Sequence, residues 1–390
     1  MTSLKHLQDQ ISQARAGRET VRIRGGGSKD FYGNAIGNFA VLDTRSHSGI
    51  TSYEPSELVV TARAGTPLAE LEAALLERNQ YLPFEPPSFS AGGTSASMQA
   101  SSSTVGGMVA AGLSGAARAS VGSVRDHILG VQIVNGASEV LNFGGTVMKN
   151  VAGYDVSRLM SGSMGTLALI TEVSLKVLPI PVADATLMCQ IGQVAALKLM
   201  NQWRAQPLPI NSTAWIHDDT ATPAADYLFV RLRGAKAAVD SALGLIQHDV
   251  QTAGGTATVM SAAAAAAAND WRAANDHLLP FFTKAPADDF CLWRLSIAAT
   301  TPALDVPHSQ YIEWQGAQRW LWARATEGAA LQAIAHAAGG HATLFKASQA
   351  LIETDKASPI FQPLAPVLAK INQGLREQLD PHQVFNTGRI

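Results

Sequence analysis

The sequence predicts an α+β protein with at least two domains, and two observations support this. Short strand-like segments joined by glycine clusters occupy the chain up to Pro181, whereas strand-like segments alternate with alanine-rich helices after it. All seven tryptophans follow residue 200, so the later part also differs in composition. With 390 residues the chain can bury a large core. We expect domains at 1–181 and 182–362, followed by a C-terminal helix and tail at 363–390.

Several elements of the first domain can be predicted individually. Strands are expected at Val21–Arg24, Phe39–Leu42, Leu58–Ala64 and Leu167–Val177, and Asn135-Gly136 between two apolar runs predicts a hairpin. A helix is expected after Thr66 as its cap and Pro67 in its first turn, with one apolar face. That face would consist of Leu68, Leu71, Leu75 and Leu76. The small, polar stretch Ser88–Ser103 is interpreted as a flexible loop.

The second domain alternates predicted strands and helices. The expected strands are Ala185–Ile191, Thr213–His217, Tyr227–Leu232 and Leu292–Ala298. The expected helices are Val194–Ala205, Ala235–Ala253, Ala262–Leu279 and Ala329–Ala338. A last helix is expected near Pro363–Leu379.

Bulk charge and cysteine content exclude several function classes. The formal net charge is −2 and no block of like charges occurs, which argues against a nucleic-acid partner. Cys189 and Cys291 have no CxxC motif or Cys/His cluster around them, so neither a zinc site nor an iron–sulfur cluster is indicated. We expect two buried thiols in a reducing compartment. No metal site is predicted.

The chain is expected to be cytoplasmic. Its first residues form a polar helix without the apolar core of a signal peptide, and no apolar stretch approaches the ~20 residues that span a bilayer. Peripheral attachment to a membrane through a partner remains an open alternative.

Three glycine clusters stand out in the first domain. Gly25–Lys29 follows a strand, and its three glycines allow backbone amides to turn toward an anion such as a pyrophosphate. Asp30 rules out both the P-loop and the dinucleotide fingerprint. The other clusters are Thr104–Gly107, which continues to Gly112 and Gly115, and Gly162–Thr166. Each alone could be a turn, but together they favour an extended ligand lying against bare backbone.

No catalytic constellation is evident in the sequence. It contains neither a G-x-S-x-G elbow nor an H-E-x-x-H motif. His336 and His341 flank a Gly-Gly pair and are interpreted as ordinary helix-end residues. Catalytic residues are therefore not assigned.

Four segments carry a family resemblance: VRIRGGGSK, STVGGMVAAGLSG, VMKNVAGYDVSRLMSGSMGTLALITEVSLKVLP and the C-terminal DPHQVFNTGR. They resemble the FAD domain of the vanillyl-alcohol-oxidase/p-cresol-methylhydroxylase (PCMH) flavoproteins. The resemblance covers Val21–Pro181 and the final ten residues. Within that family the phrase FGGTVMKNVAGYDVSRLM is most similar to the smaller FAD-binding subunits of bacterial glycolate oxidases (glycolate dehydrogenases).

This resemblance implies a fold, a cofactor and partners. The fold would be α+β: a PCMH-type FAD-binding domain of two α+β subdomains, then an α+β cap domain, with the C-terminal tail returning to the FAD domain. FAD would be noncovalent, because Ser28 and Lys29 stand where members with covalent flavin often carry histidine. The implied partners are a larger flavin subunit and an iron–sulfur subunit, with glycolate as the 2-hydroxy-acid substrate.

The resemblance also assigns residues to FAD. The loop Gly25–Lys29 would bind the pyrophosphate, Thr104 with its neighbouring glycines would line the flavin, and Gly122-Ser123 would form the turn before the adenosine-side strand. The complete set is Arg24, Gly25, Gly26, Gly27, Ser28, Lys29, Thr104, Gly106, Gly107, Gly112, Gly115, Gly122, Ser123, Gly165, Ile170 and Asn386.

Two departures from the family keep three functions open. Gly112 replaces an asparagine of related 2-hydroxy-acid dehydrogenases, and Gly339–Leu344 lacks the clustered histidines and acid of the catalytic subunits. The chain could pass electrons within a larger complex, because the flavin itself supplies the redox chemistry. It could instead oxidise a hydroxy acid alone, with Arg294, Arg319 and Arg324 clamping the carboxylate. It could also be a non-catalytic scaffold.

Overall fold

The computed structural model describes residues 3–89, 102–146, 155–220, 222–260, 270–353, 360–385 and 387–390. Most of the predicted loop 88–103, the segment 147–154, the alanine run 261–269 and the predicted site residue Asn386 lie outside these ranges. The chain divides into two units. The first comprises Met1–Ser114, Gly122–Ile180 and Pro363–Ile390, and the second comprises Gly115–Val121 and Pro181–Gln362.

The first unit contains nine strands and five helices in its described part. The strands are β1 (Val21–Arg24), β2 (Ala40–Asp43), β3 (Ile50–Glu54), β4 (Val59–Arg63), β5 (Gln80–Tyr81), β6 (Ile128–Val134), β7 (Val140–Gly144), β8 (Leu169–Lys176) and β9 (Leu178–Pro179). The helices are Ser3–Gly17, Leu68–Leu76, Val105–Ala111, Val156–Leu159 and Pro366–Leu379. A five-stranded sheet has the order β3-β4-β8-β6-β7, while β1 and β2 form a separate parallel pair.

The predicted strands and hairpin of this unit are confirmed, and β8 is central. It pairs with β4 on one side and β6 on the other, and apolar side chains on both of its faces are buried. The hairpin forms where Asn135 closes the turn between β6 and β7, its side-chain carbonyl accepting from the amides of Ala137 and Glu139. In β8, Leu169, Val173 and Leu175 lie on one face, whereas Glu172 and Lys176 lie on the other and are only partly buried, so the alternation along the strand matches its burial.

The start of helix Leu68–Leu76 differs from the prediction. Leu68, Leu71 and Leu75 are fully buried as expected, but Leu76 is 63% exposed. Thr66 does not cap the helix: Pro67 occupies the cap position without a side-chain hydrogen bond, and the Thr66 hydroxyl bonds Gly49 instead. Because the Thr66 hydroxyl bonds both the amide and the carbonyl of Gly49, it is not available to cap the helix.

The second unit is built on one antiparallel sheet. Its strands are β10 (Ala183–Gln190), β11 (Ile210–Asp218), β12 (Ala225–Gly234), β13 (Thr256–Val259), β14 (Phe290–Ser296), β15 (Gln310–Glu313), β16 (Gln318–Arg324) and β17 (His341–Lys346). The sheet order is β13-β10-β12-β11-β15-β16-β14-β17. Helices in the described part are Arg118–Val121, Gln193–Arg204, Lys236–Thr252, Asp270–Asn275, Pro280–Thr283, Gly328–Ala337 and Gln349–Glu353.

One face of this sheet buries apolar side chains against helices Gln193–Arg204, Lys236–Thr252 and Gly328–Ala337. Cys189 and Cys291 lie in these cores as buried free thiols, as predicted, and burial raises the pKa of the Cys189 thiol to about 12. His336 lies in the last turn of its helix, but His341 begins β17, so its prediction as a helix-end residue is wrong.

Candidate cofactor-binding site

Residues from all three glycine clusters line one cavity in the first unit. The cavity has a volume of about 100 Å³. Its lining is Arg22, Ile23, Arg24, Gly25, Gly26, Gly27, Ser28, Lys29, Asp30, Ile36, Thr104, Gly107, Ala110, Ala111, Met164, Gly165, Thr387 and Arg389. The lining thus includes nine of the residues that the resemblance assigns to FAD: Arg24, Gly25, Gly26, Gly27, Ser28, Lys29, Thr104, Gly107 and Gly165.

The glycine loop directly follows β1, and Asp30 holds its shape. Asp30 accepts a hydrogen bond from Arg24 Nε at 2.8 Å and pairs with Arg22 Nη2 at 2.6 Å. The backbone between them turns at Gly27, whose φ of +73° places it in the left-handed region. The cavity wall is therefore a short loop fixed at both of its ends.

Close packing against residues 102–104 requires the loop to be glycine. A Cβ at Gly26 would lie 1.6 Å from the carbonyl oxygen of Ser102, and a Cβ at Gly25 would lie 2.4 Å from Thr104 Oγ1. No side chain fits in either place without movement of the backbone or of Thr104. The packing therefore requires glycine here, and the loop contributes main chain to the cavity lining, as close approach to a pyrophosphate needs.

Thr104 links the loop to the second cluster. Its hydroxyl accepts a hydrogen bond from the Gly107 amide at 3.2 Å and caps helix Val105–Ala111. This helix contributes Gly107, Ala110 and Ala111 to the cavity wall. Because these side chains are small, a flat ligand group can approach the helix backbone closely.

Basic side chains dominate the electrostatics of the cavity. Arg22, Arg24, Lys29 and Arg389 line it, whereas Asp30 is the acidic residue among the described lining. An excess of cations suits a diphosphate, whose oxygens accept charge-assisted hydrogen bonds.

Two serine hydroxyls lie beside the lysine. Lys29 Nζ donates to Ser103 Oγ at 3.2 Å, and Ser28 Oγ and Ser103 Oγ are 3.0 Å apart. Ser102 Oγ is also buried and has no hydrogen-bond partner among the described residues. Hydroxyls next to a lysine can donate to phosphate oxygens, so the donor set fits the cofactor that the sequence implies.

Arg389 completes the loop and was not predicted. Its guanidinium donates through Nη2 to the carbonyl oxygens of Lys29, Asp30 and Tyr32. Burial lowers the pKa of Arg389. The sequence resemblance pointed to Asn386 in this tail, which lies outside the described residues, while its neighbours Thr387 and Arg389 line the cavity. The signal in the sequence was the resemblance of the ending DPHQVFNTGR to that of the family.

The remaining predicted residues lie outside the described lining of this cavity, and two of them have evident packing roles. Gly106 contacts Ala64, since a Cβ there would lie 2.6 Å from the Ala64 Cβ. Gly112 ends helix Val105–Ala111 in the left-handed conformation, with φ +65°.

Of the other predicted cofactor residues, Gly122, Ser123 and Ile170 lie in the first unit and Gly115 lies in the second. Gly122 has a φ of +89°, and Ser123 begins a short turn in which its amide bonds the Asp126 carboxylate. Ile170 is buried in β8. Gly115 belongs to the second unit, where its carbonyl accepts from Trp314 Nε1 at 2.9 Å.

The proposed arginine clamp in the second domain is wrong. Side chains alternate between the two faces of the sheet in β16, so Arg319 and Arg324 lie on opposite faces. The β14–β16 register places Arg294 opposite Trp320, on the same face as Arg324. The three arginines therefore do not share one face. Arg319 is fully buried and donates to the carbonyls of Thr301, Pro302 and Gly316. It therefore stabilises a loop and is not available for a substrate carboxylate.

Comparison with known proteins adds a family to this geometry. A model of the FAD binding domain matches residues 1–144. The chain is 41% identical to glycolate oxidase subunit GlcE of Escherichia coli strain K12, over 98% of this chain and 96% of that protein. The chain belongs to the GlcE family.

More distant matches cover less of the GlcE-family chain or show only its fold. Glycolate oxidase subunit GlcD of Bacillus subtilis strain 168 is 28% identical over 40% of this chain and 31% of its own length. A solved structure of alkyldihydroxyacetonephosphate synthase superposes with a TM-score of 0.67 at 15% identity, covering 99% of this chain and 76% of that one. This likeness shows that the α+β architecture is shared. Among the described residues, no helix has the length and apolar character to cross a bilayer.

Proposed function

We propose that this chain is the smaller FAD-binding subunit of a glycolate oxidase complex, an FAD-dependent oxidoreductase in which electrons from glycolate pass through flavin to partner subunits. The observation that carries this proposal is the near full-length similarity to GlcE. The convergence of three glycine clusters on one basic cavity supports it independently, because that arrangement suits the phosphates of FAD.

Bound FAD would supply the redox chemistry, and the protein would position it. The backbone at Gly25–Gly27 would approach the pyrophosphate, while Lys29 and Arg24 would neutralise its charge. Thr104, Gly107 and Gly165 would form the small-residue wall against the cofactor. The described lining contains no histidine, cysteine or tyrosine, which supports noncovalent binding.

The proposal requires other proteins for onward electron transfer. Cys189 and Cys291 are buried in separate apolar clusters, so the described residues do not bring together the ligand set of an iron–sulfur cluster. We therefore assign the iron–sulfur centre to an iron–sulfur subunit. We assign the substrate-oxidising flavin to a larger flavin subunit, because Gly339–Leu344 lacks the clustered histidines and acid of the catalytic subunits. The complex would lie in the cytoplasm, with any attachment to the membrane made through those partners.

A spectroscopic experiment distinguishes this proposal from a self-sufficient flavoenzyme and from a non-catalytic scaffold. The purified chain is expected to show the visible absorption of oxidised flavin after incubation with FAD and gel filtration. Anaerobic glycolate should leave that absorption unchanged in the isolated chain and bleach it in the assembled complex. Bleaching of the isolated chain would favour a self-sufficient enzyme, and a chain that never retains FAD would favour a scaffold.

A further inference from the structure

A second, larger cavity lies wholly within the second unit. Its volume is about 620 Å³, within the range of small-molecule sites, and it shares no lining residue with the candidate FAD cavity. One wall is the sheet face opposite the helix-packed core. That wall is formed by Thr186 of β10, Ala214 and Ile216 of β11, Phe229 of β12, Tyr311 of β15 and Trp322 of β16.

The opposite wall comes from helices Asp270–Asn275 and Pro280–Thr283, and two tryptophans connect it to the sheet. Trp271 Nε1 donates to Thr186 Oγ1 at 3.0 Å, and Trp322 Nε1 donates to the carbonyl of Phe281 at 2.7 Å. Both indole N–H groups are thereby used within the protein. The tryptophans can offer a ligand only their ring surfaces.

Six phenylalanine, tyrosine and tryptophan side chains line this cavity. The aromatic lining consists of Phe229, Trp271, Phe281, Phe290, Tyr311 and Trp322. Phe281 and Tyr311 already contact each other, with ring centroids 5.6 Å apart. Aromatic side chains pair favourably with further rings in offset or edge-to-face geometry, so such walls favour a planar aromatic ligand.

Charged groups in the lining argue against an anion. His217 and His308 are each held by a carboxylate, from Asp226 at 2.6 Å and Glu327 at 2.7 Å. Lys284 is the lysine of the described lining, against the three acids Asp218, Asp219 and Asp270. Acids outnumber the lysine in this described lining, whereas cations outnumber the acid in the cavity of the first unit, so this cavity is the less suited of the two to an anion.

We propose that this cavity binds an uncharged planar aromatic molecule, with its ring against Trp271, Trp322 and Tyr311 and a hydroxyl or N–H donor directed to Asp270. Burial raises the pKa of the Asp270 carboxyl, which is consistent with a group that gains from a hydrogen-bond donor. This site is independent of the proposed glycolate chemistry, and its failure would leave the FAD proposal intact.

A pair of probes with one ring system tests the proposal on the unmodified full chain. 2-Naphthol is uncharged at neutral pH and carries a hydroxyl donor, whereas 2-naphthoate has the same ring with a negative charge. Calorimetric titration should show saturable one-to-one binding of 2-naphthol, and at least about tenfold weaker binding of 2-naphthoate. Absence of saturable 2-naphthol binding, or equal or tighter binding of 2-naphthoate, would overturn the proposal.

Cavity-filling variants locate the binding. Ala214→Phe and Ala274→Phe each place a ring in the cavity lining and should weaken 2-naphthol binding at least about tenfold. Ala333→Phe, on the exposed side of helix Gly328–Ala337, is the matched control and should bind as the unmodified chain does. Unchanged affinity in both filling variants would place the probe elsewhere and refute the assignment.

Discussion

Replacing Gly26 by alanine should weaken FAD binding while leaving the second unit intact. The added carbon would lie 1.6 Å from the Ser102 carbonyl oxygen, whereas nonbonded carbon and oxygen atoms keep roughly 3.3 Å apart. The loop or residue 102 must then move by more than about 1.5 Å. Overpacking of this kind costs about 1–3 kcal/mol, and a displaced loop no longer presents its backbone to the pyrophosphate.

The expected loss of FAD affinity is at least about tenfold, equivalent to about 1.4 kcal/mol. The measurement is bound flavin per polypeptide after gel filtration, together with a titration of the apoprotein with FAD. Gly244→Ala, in helix Lys236–Thr252, is the matched control. Apart from the backbone of its own helix, a Cβ at Gly244 would have no atom within 4 Å. Alanine in that helix should stabilise the protein by about 0.5–1 kcal/mol and leave FAD binding unchanged.

The result that refutes this reasoning is a folded Gly26→Ala protein that binds FAD as tightly as the unmodified chain. Circular dichroism and the melting temperature establish folding. With a native melting profile and native affinity, Gly26 could not be part of the cofactor contact, and the loop would be only a turn.

Three further predictions concern charge and burial. Lys29→Met should weaken FAD binding about tenfold and flatten its dependence on salt, because a charge-assisted contact contributes about 1.5–3 kcal/mol. Lys236→Met, on the exposed surface of the second unit, is the control. Equal effects of the two substitutions would exclude Lys29 from the site. Asp380→Ala should lower the unfolding free energy by about 1–3 kcal/mol in chemical denaturation, since Asp380 accepts from the amides of Val384 and Phe385, and an unchanged midpoint would contradict that role. Burial raises the pKa of Glu313 to about 7. The folded protein therefore keeps a proton on Glu313 that the unfolded chain releases near the ordinary pKa of a glutamate. The contribution of this group to the unfolding free energy is fully present at low pH and is lost as pH rises toward and through about 7. Glu313→Gln should therefore melt higher than the unmodified protein at pH 8, by an amount that shrinks toward acidic pH, and a difference independent of pH would contradict the assignment.

Local patterns in the sequence predicted most of the first unit. Strand β1 and the glycine loop after it follow from alternation and from the freedom of glycine, and both are present. The cap of helix Leu68–Leu76 was wrong because the hydroxyl of Thr66 finds a tertiary partner in Gly49. Strands β15 and β16 were not predicted. β15 has only four residues, and both strands mix buried polar residues with aromatic ones, so neither shows a clear apolar alternation.

Convergence of the site could not be read from local patterns. Gly26, Thr104 and Gly165 are separated by long stretches of chain, and only tertiary packing brings them to one cavity. The sequence also cannot distinguish a glycine that contacts a ligand from one that contacts protein. Gly106 illustrates this limit, because the space its missing side chain leaves is taken by Ala64.

The position of Arg389 has a consequence for how the protein acquires its cofactor during biosynthesis. The guanidinium of this residue bonds three carbonyls of the loop after β1, and β1 itself bonds Val384 through the amide of Val21. A nascent chain still lacking residues 384–389 has made the loop's sequence but lacks these four hydrogen bonds to the loop and to β1. FAD loading should therefore wait until this late segment has emerged from the ribosome, and a bulky fusion placed immediately after it would delay loading.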